Sequence, residues 1–252
     1  MRFERMLCWE ATDAADPMTV AAGRLYEQTL APEERIPWEW IERSLRTRVE
    51  LKPGTRRRHL LLATPEGREG DPDSLAGYAY GAFMPGFGGY LCYMGVAEWA
   101  RRHGVGSRLM EQFFRTMSLD AGIAGEPLPF VLWESHRPEP DASDADWKMW
   151  NARVKLFDRV GGLWMEGVDF QSPSWDAGSV APVPLQLFLK PMEVNAASFD
   201  AERLKAIVGN LHEQVYRNQP GDSLYDATLP KGVAPRLKPA KAAGKGREMA
   251  MA

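Results

Sequence analysis

The sequence is poor in the features that usually assign a protein to a class at once. Its 252 residues include only two cysteines, Cys8 and Cys92, which offer no metal-ligand spacing. We therefore expect no structural disulfide and no metal site. The longest apolar runs, such as LCYMGVA, are far too short to cross a bilayer. The first residues, MRFERMLCWEATDAADP, lack the apolar core of a secretory signal, so we expect a cytoplasmic protein with no membrane contact.

The chain also lacks a strong charge of either sign. It has 31 Lys and Arg residues against 34 Asp and Glu residues, a formal net charge of −3. This balance gives no electrostatic reason to expect nucleic acid as the main partner. Hydrophobic residues make up 44% of the chain and charged residues 26%, which is typical of a soluble globular protein. A chain of this length can form one α/β domain with extensions.

Hydrophobic periodicity predicts an α/β protein built on a mixed sheet. The predicted order is one strand, two helices, three strands, a helix, a strand, a helix and two closing strands, which differs from a simple βαβ repeat. We assign residues 1–192 to this core domain and residues 193–229 to a C-terminal extension with an amphipathic helix. Residues 230–252 have no apolar period and are rich in Lys, Ala, Gly and Pro, so we expect a disordered basic tail.

The most informative stretch is YLCYMGVAEWARRHGVGSRLME. It predicts a strand, a short basic turn with two glycines, and a helix whose apolar residues recur every four positions. Backbone N–H groups at a helix start have no partner within the helix, and the helix dipole adds positive potential there. Gly104 and Gly106 allow the backbone to approach an anion closely, while Arg101 and Arg102 add hydrogen-bond donors. The pattern indicates a pyrophosphate cradle.

Other cofactor motifs fit this stretch less well. No Lys-Ser/Thr pair follows the glycines, as a Walker A loop requires. The third glycine and the later acidic residue of a dinucleotide-binding fingerprint are also missing. From the residues alone, the alternative to a cradle is a glycine-bearing strand-to-helix turn with surface arginines.

The segment VAEWARRHGVGSRLM resembles the signature of the GNAT superfamily of acyl-CoA dependent N-acetyltransferases. In that signature a strand ending in Val is followed by a spacer and then by Arg/Gln-x-x-Gly-x-Gly/Ala. The corresponding positions here are Val96, Arg101, Gly104 and Gly106. Downstream, the predicted helix VKLFDRVGG is similar to a later helix of the family, so the resemblance extends over roughly residues 1–192.

The resemblance implies a GNAT-like mixed sheet whose fourth and fifth strands splay apart, with acetyl-CoA as co-substrate in the gap. Backbone groups of two residues of the fourth strand would pair with the pantetheine arm, and the turn and helix start would hold the pyrophosphate. The thioester carbonyl would lie near a bulge in the fourth strand, where a backbone N–H stabilises the oxyanion. The cofactor-binding residues implied in this way are Met94, Val96, Arg101, Arg102, Gly104, Val105, Gly106 and Ser107.

The catalytic residues depart from the commonest pattern of the family. The tyrosine that usually protonates the thiolate corresponds to Phe157, and a carboxylate that acts as base in some members corresponds to Tyr90. Our candidate base is Glu134, an acid in the apolar strand PFVLWES, which we expect to have a raised pKa. Tyr90 and Tyr93 are candidate acids. The alternatives are a salt-bridged strand-end carboxylate for Glu134, packing roles for the tyrosines, and a water relay.

The resemblance implies an enzyme that moves an acetyl group from acetyl-CoA to a primary amine of a small molecule or peptide by direct attack. Phe157 keeps a second function open, a catalytically idle protein that binds or senses acyl-CoA. A nucleotide-binding interaction protein is a third, disfavoured by the absent Lys-Ser/Thr pair. The extension beyond residue 192 could be a lid, the arm of a homodimer or part of the acceptor pocket.

Overall fold

The computed structural model describes residues 5–46, 54–176, 178, 181–229 and 232–240. It confirms the predicted class, a mixed α/β protein. The chain divides into two compact units between Val131 and Leu132. The predicted boundary at residue 192 therefore lies inside the second unit, and the C-terminal extension belongs to that unit.

The first unit is built on four antiparallel strands in the order β1-β2-β3-β4. Their side chains are mostly buried, and β3 is buried along its whole length. Such burial explains why these strands read as near-continuous apolar runs rather than as alternating patterns. The strands are β1 (Met6–Glu10), β2 (Arg57–Pro65), β3 (Gly77–Met84) and β4 (Gly88–Val96).

Helices cover both faces of this sheet. They are α1 (Pro17–Thr29), α2 (Trp38–Arg46) and α3 (Val105–Ala124). The Asp16 carboxylate caps α1 by accepting from the backbone N–H of Met18 at 2.7 Å. Tyr78 of β3 lies 3.0 Å from Thr29 Oγ1 of α1, whereas its neighbour Gly77 faces α3. Because side chains alternate along a strand, α1 and α3 lie on opposite faces.

The second unit contains five strands and three α-helices among its described residues. Four strands follow the order β5-β8-β6-β9, and β7 pairs with β8. Helix α4 begins with a reciprocal capping box between Ser143 and Asp146. The elements are β5 (Phe130–His136, which starts just before the boundary), α4 (Asp144–Arg159), β6 (Leu163–Glu166), β7 (Phe170–Ser172), β8 (Val183–Pro191), α5 (Ala201–Leu211), α6 (Ser223–Thr228) and β9 (Arg236–Pro239).

Short helical turns connect several of these elements. The 3₁₀ turns are Pro32–Glu34, Pro72–Ser74, Glu98–Ala100 and Ala196–Ser198. A π-helical turn, His212–Tyr216, follows α5 directly. The sequence predicts one continuous amphipathic helix through this region. In the structure, the last turn of that pattern is π-helical and not α-helical.

Strand β9 corrects the prediction of a disordered tail from residue 230. Arg236–Pro239 pairs antiparallel with β6, so that Lys238 lies opposite Trp164. Lys238 Nζ donates to the Glu166 carboxylate at 2.6 Å, and Arg236 forms a second ion pair with the same group. The prediction is wrong for these four residues, because they pair with β6, a partner that the composition of the segment does not record. Of the predicted tail, residues 230–231 and 241–252 lie outside the described residues.

A buried cluster of charges joins β1, β2 and α3. The ring of His59 lies between two carboxylates, with Nδ1 2.6 Å from Glu10 Oε1 and Nε2 2.6 Å from Asp120 Oδ2. Arg57 completes the cluster with an ion pair of 2.5 Å to Asp120 Oδ1. Burial lowers the pKa of His59, but the hydrogen bonds and charges of Asp120 and Glu10 outweigh it and raise that pKa to about 9. An imidazolium donates to both carboxylates at once.

This cluster predicts a pH-dependent stability. Below pH 6.5, the ordinary pKa of His, the ring is charged in the folded and the unfolded chain, and the cluster stabilises fully. As the pH rises to about 9, the unfolded chain loses the proton first, so the stabilisation is lost. We expect a loss on the order of 3 kcal/mol in the free energy of unfolding across this window.

Urea unfolding of the wild type and of His59→Gln at both ends of the window measures this loss. The gap in stability between the two proteins should shrink as the pH rises, because the variant has no ring to titrate. Replacing the exposed His103 by Gln is the matched control and should leave the pH dependence unchanged. A gap that stays constant from pH 6.5 to 9 would contradict the assignment.

Candidate functional site

The turn between β4 and α3 has an unusual backbone. After β4 ends at Val96, a 3₁₀ turn leads into residues 101–104, and α3 begins at Val105. Gly104, the N-cap, has φ +77°, and Arg102 has φ +68°. The left-handed region suits glycine, whereas a side chain there costs roughly 1 kcal/mol. Arg102 is therefore a strained residue in this turn.

The start of α3 favours an anion. The first four backbone N–H groups of an α-helix have no partner within it, and the dipole of this 20-residue helix adds positive potential. No acidic residue stands in its first turn. A Cβ on Gly104 would meet nothing within 4 Å, so the space above the turn is open. The structure brings together, at this helix start, six of the predicted residues: Arg101, Arg102, Gly104, Val105, Gly106 and Ser107.

Side chains around this turn differ in exposure. Arg101, Arg102 and His103 are exposed, and Arg101 Nε donates to the carbonyl of Val96 at 3.4 Å. The hydroxyl oxygen of Ser107 is buried and has no hydrogen-bond partner. A buried polar atom without a partner is costly, so this hydroxyl fits a site that a ligand oxygen completes.

Strand β4 contains the bulge that the family resemblance implies. Tyr93 pairs with Tyr80 and Leu91 with Gly81, which leaves Cys92 as the extra residue. The register shift disrupts the ladder with β3 locally and bends β4 at this residue. Met94 and Val96 follow the bulge, in register with β3.

The two candidate tyrosines of β4 are both buried. Tyr90 precedes the bulge, opposite Ala82. The phenol oxygen of Tyr93 accepts from the backbone N–H of Ile36 at 3.3 Å, and Tyr26 donates to the carbonyl of the same residue at 2.9 Å. Burial raises the pKa of Tyr93 well above its usual value, which makes it a weaker acid. This pair of phenols anchors the connection between α1 and α2.

Glu134, the candidate base, lies half-buried in β5. The hydroxyl of Tyr216 donates to Glu134 Oε2 at 2.5 Å. Tyr216 is the last residue of the π-helical turn after α5 and is 82 positions away in sequence. Sequence reasoning missed this partner, because no local pattern links a helix end to a strand so far away. The aromatic residue at the end of the amphipathic pattern was the one available signal.

Phe157 lies in a buried aromatic cluster of the second unit. Its ring centre is 4.7 Å from that of Phe188 and 5.5 Å from that of Trp133, and 4% of the residue is exposed. On the same helix, Trp150 Nε1 and Asn151 Oδ1 are buried and have no hydrogen-bond partner. Asn151 could have been noticed from the sequence, because an amide within an apolar helix pattern indicates a buried polar group.

An open groove of about 400 Å³ lies beside the turn. Helix α1, the β2–β3 connection and the segment after β4 form its walls, which carry Arg24, Asp73, Glu98, Trp99 and Arg101. Two arginines face two acidic residues, so the groove has no excess of either charge, and we assign it no ligand.

Two features are absent from the described residues, a metal site and a membrane-spanning helix. Among them, no group of three or more His, Cys, Asp and Glu side chains is placed to hold a metal ion. In the same part of the chain, no helix is both long enough and apolar enough to cross a membrane.

Comparison with known proteins supports the resemblance over part of the chain. Residues 24–123 match the model of the acetyltransferase (GNAT) family, and this range includes the turn and nearly all of α3. A protein from Bacteroides thetaiotaomicron, described as a GNAT-family acetyltransferase, has a similar structure with a TM-score of 0.57. It is 16% identical over 84% of this chain and 99% of its own, a likeness that shows the fold alone.

Two other solved structures match with TM-scores of 0.45. One is the ribosomal-protein-S18-alanine N-acetyltransferase from Escherichia coli, 15% identical over 76% of this chain and 96% of that chain. The other is YncA from Salmonella typhimurium, described as an acetyltransferase and solved with acetyl-CoA, 14% identical over the same shares. No curated protein matches the sequence.

The matched range and the fold agree with the geometry of the turn. Gly104 of the motif stands where the backbone enters α3 in a left-handed conformation, and β4 carries the bulge. The predicted resemblance is thereby confirmed: residues 24–123 match the GNAT acetyltransferase family model, and the fold is similar to that of a GNAT-family structure.

Proposed function

We propose that the protein is an N-acyltransferase that moves an acetyl group from acetyl-CoA to a primary amine of a small molecule or peptide. The observation that carries the proposal is the open, positively polarised start of α3 within the range that matches the family. The proposed location is the cytoplasm. The predicted splay between the fourth and fifth strands is part of the proposal.

The turn fits the pyrophosphate of acetyl-CoA. Backbone N–H groups from Arg102 to Ser107 would hold its oxygens, since that of Arg101 already donates to the carbonyl of Glu98 at 3.2 Å. The buried Ser107 hydroxyl would gain the partner that it lacks. The exposed guanidinium groups of Arg101 and Arg102 add charge-assisted donors at the rim. Backbone groups of Met94 and Val96 would pair with the pantetheine amides. Acetyl-CoA supplies the thioester whose acetyl group is transferred.

Replacing Gly104 by Val tests the cradle. The branched side chain would occupy the open space above the turn and would strain a residue with φ +77°. We expect the Kd for acetyl-CoA, measured by calorimetry, to rise at least about tenfold, which corresponds to about 1.4 kcal/mol.

Gly125→Val is the matched control for this prediction. Gly125 caps the other end of α3, also has a positive φ, +69°, and also has open space around it. The control therefore carries a similar backbone strain far from the cradle, and its Kd should stay within about twofold of the wild type. Equal loss of affinity in both variants, or none in a folded Gly104→Val protein, contradicts the cradle assignment.

The transfer needs a base for the amine proton and an acid for the departing sulfur. In the proposed reaction the amine nitrogen attacks the thioester carbonyl, a C–N bond forms, and the C–S bond breaks. A backbone N–H at the Cys92 bulge stabilises the negative charge that develops on the carbonyl oxygen. Glu134 takes the proton from the nitrogen, and the thiolate is protonated as it leaves. Tyr90 stays a candidate acid.

Glu134→Gln tests the base. The amide keeps the size of the side chain and cannot take a proton, so kcat should fall by a factor on the order of 10² to 10⁴. The Kd for acetyl-CoA should stay near the wild-type value, because Glu134 is not part of the cradle. Steady-state kinetics, calorimetry and a thermal melt are measured together. A folded variant with normal kcat would refute the base and favour a water relay.

The second function, an idle protein that binds or senses acyl-CoA, is favoured by one observation. Phe157 has no hydroxyl, so the usual acid of the family is absent from its place. Binding requires only the cradle, whereas turnover also requires proton transfer. Incubating the protein with acetyl-CoA and a panel of primary amines separates the two functions, since only an enzyme releases free thiol with an amine present.

A further inference from the structure

We propose that Tyr216 is a positioning residue for Glu134, so that the C-terminal extension completes the catalytic site. The inference rests on the proposed function and deepens it. It assigns the extension a role in the acid–base chemistry, where the sequence left a lid, a dimer arm and a pocket wall open.

The contact between these residues is short and directional. The Tyr216 hydroxyl lies 2.5 Å from Glu134 Oε2, within the range of charge-assisted O–H···O⁻ hydrogen bonds. A phenol has a single proton, so donation to the carboxylate fixes which oxygen carries the bond and restricts rotation of the side chain. Both residues are half-buried, so the contact is partly shielded from solvent.

Hydrogen bonds of His212 anchor the C-terminal extension close to Tyr216. His212, at the start of the π-helical turn, is fully buried, with Nε2 2.7 Å from Thr228 Oγ1. The Thr228 hydroxyl already donates to the carbonyl of Leu224, so the oxygen accepts from the ring Nε2–H. Nδ1 then accepts from the Asn218 amide at 3.2 Å. Burial lowers the pKa of His212 to about 4, which agrees with a neutral ring.

The π-helical turn sets the position of the phenol. Residues His212–Tyr216 form the wide turn, and Arg217 closes it in the left-handed conformation with φ +63°. Its N–H donates to the carbonyl of His212. A single wide turn is rare and often marks a functional site, because it changes where the following side chains point. The Tyr216 ring also packs 5.6 Å from that of Phe170 in β7.

The Tyr216 hydroxyl has a different role from the one that Phe157 lacks. Phe157 corresponds to the family tyrosine that protonates the thiolate, and it lies in an aromatic cluster without a hydroxyl. The Tyr216 phenol donates to the proposed base. In the reaction, Tyr216 holds the Glu134 carboxylate in place while Glu134 takes the amine proton, and the phenol keeps its own proton.

Tyr216→Phe tests the proposal, with Tyr225→Phe as the matched control. Tyr225 is also a half-buried tyrosine of the extension, and its ring packs 5.3 Å from that of His212. We expect Tyr216→Phe to lower kcat about tenfold or more and to leave the Kd for acetyl-CoA unchanged. The control should change neither.

The pH profile separates positioning from a purely structural role. A carboxylate that loses a hydrogen-bond donor has a raised pKa, so the acidic limb of kcat/KM should move to higher pH in Tyr216→Phe. The two substitutions should also not be additive, because without the carboxylate the phenol has nothing to position. Tyr216→Phe should therefore cost little further activity in a Glu134→Gln background.

Each outcome decides the proposal. An active wild type whose Tyr216→Phe variant keeps its kcat and pH profile overturns the role of Tyr216 and leaves the proposed function standing. Lost activity with an unmoved acidic limb and a lowered Tm, or additive losses in the double variant, also overturns it, because these mark a structural role. A wild type that binds acetyl-CoA and acetylates no amine overturns the proposed function and this inference with it.

Discussion

The fixed position of helix α3 is the constraint on which the proposed cofactor site depends. Unpaired N–H groups at a helix start can hold an anion only if the helix cannot shift. Glycine in β3 lets α3 approach closely, since a Cβ at Gly81 would lie 2.5 Å from Phe113 Cζ. Farther along the helix, Asp120 is held by His59 and Arg57. Because an uncompensated buried carboxylate is costly, this cluster resists sliding of the helix along the sheet.

The entry into α3 depends on the same fixed helix. With the helix axis set by β3 and the charge cluster, the chain has few residues in which to turn from β4 into the helix. Two left-handed residues, Arg102 and Gly104, make that turn. Glycine serves at one position without cost, and strain at the other is stored beside the proposed ligand. The strain at Arg102 and the open start of α3 therefore have the same cause, the sharp turn from β4 into the helix.

Much of this could be predicted from sequence, because the cradle, the helix starts and most strands are local patterns. Asp16 and Pro17 mark the start of α1, and the glycines of the cradle mark the entry into α3. The rest depends on pairings between distant residues. β9 pairs with β6, and its Lys238 and Arg236 both contact Glu166; no sequence period within the tail records that partner. His59 gave no signal for the same reason, since its carboxylates lie on two other elements.

The contact between Glu134 and Tyr216 joins residues 82 positions apart, so no local sequence pattern predicts it. It is also the contact on which the proposed catalytic role of the extension rests. A tyrosine at position 157 would put a hydroxyl among Trp133 and Phe188, where an unpaired polar group costs about 1–3 kcal/mol. Phenylalanine there favours packing. Neutral His212 and the wide turn hold the Tyr216 phenol against Glu134, on a different part of the chain. In the proposed role of Tyr216, loss of the turn at residues 212–216 would remove the hydrogen bond to Glu134 without altering any residue of the cradle.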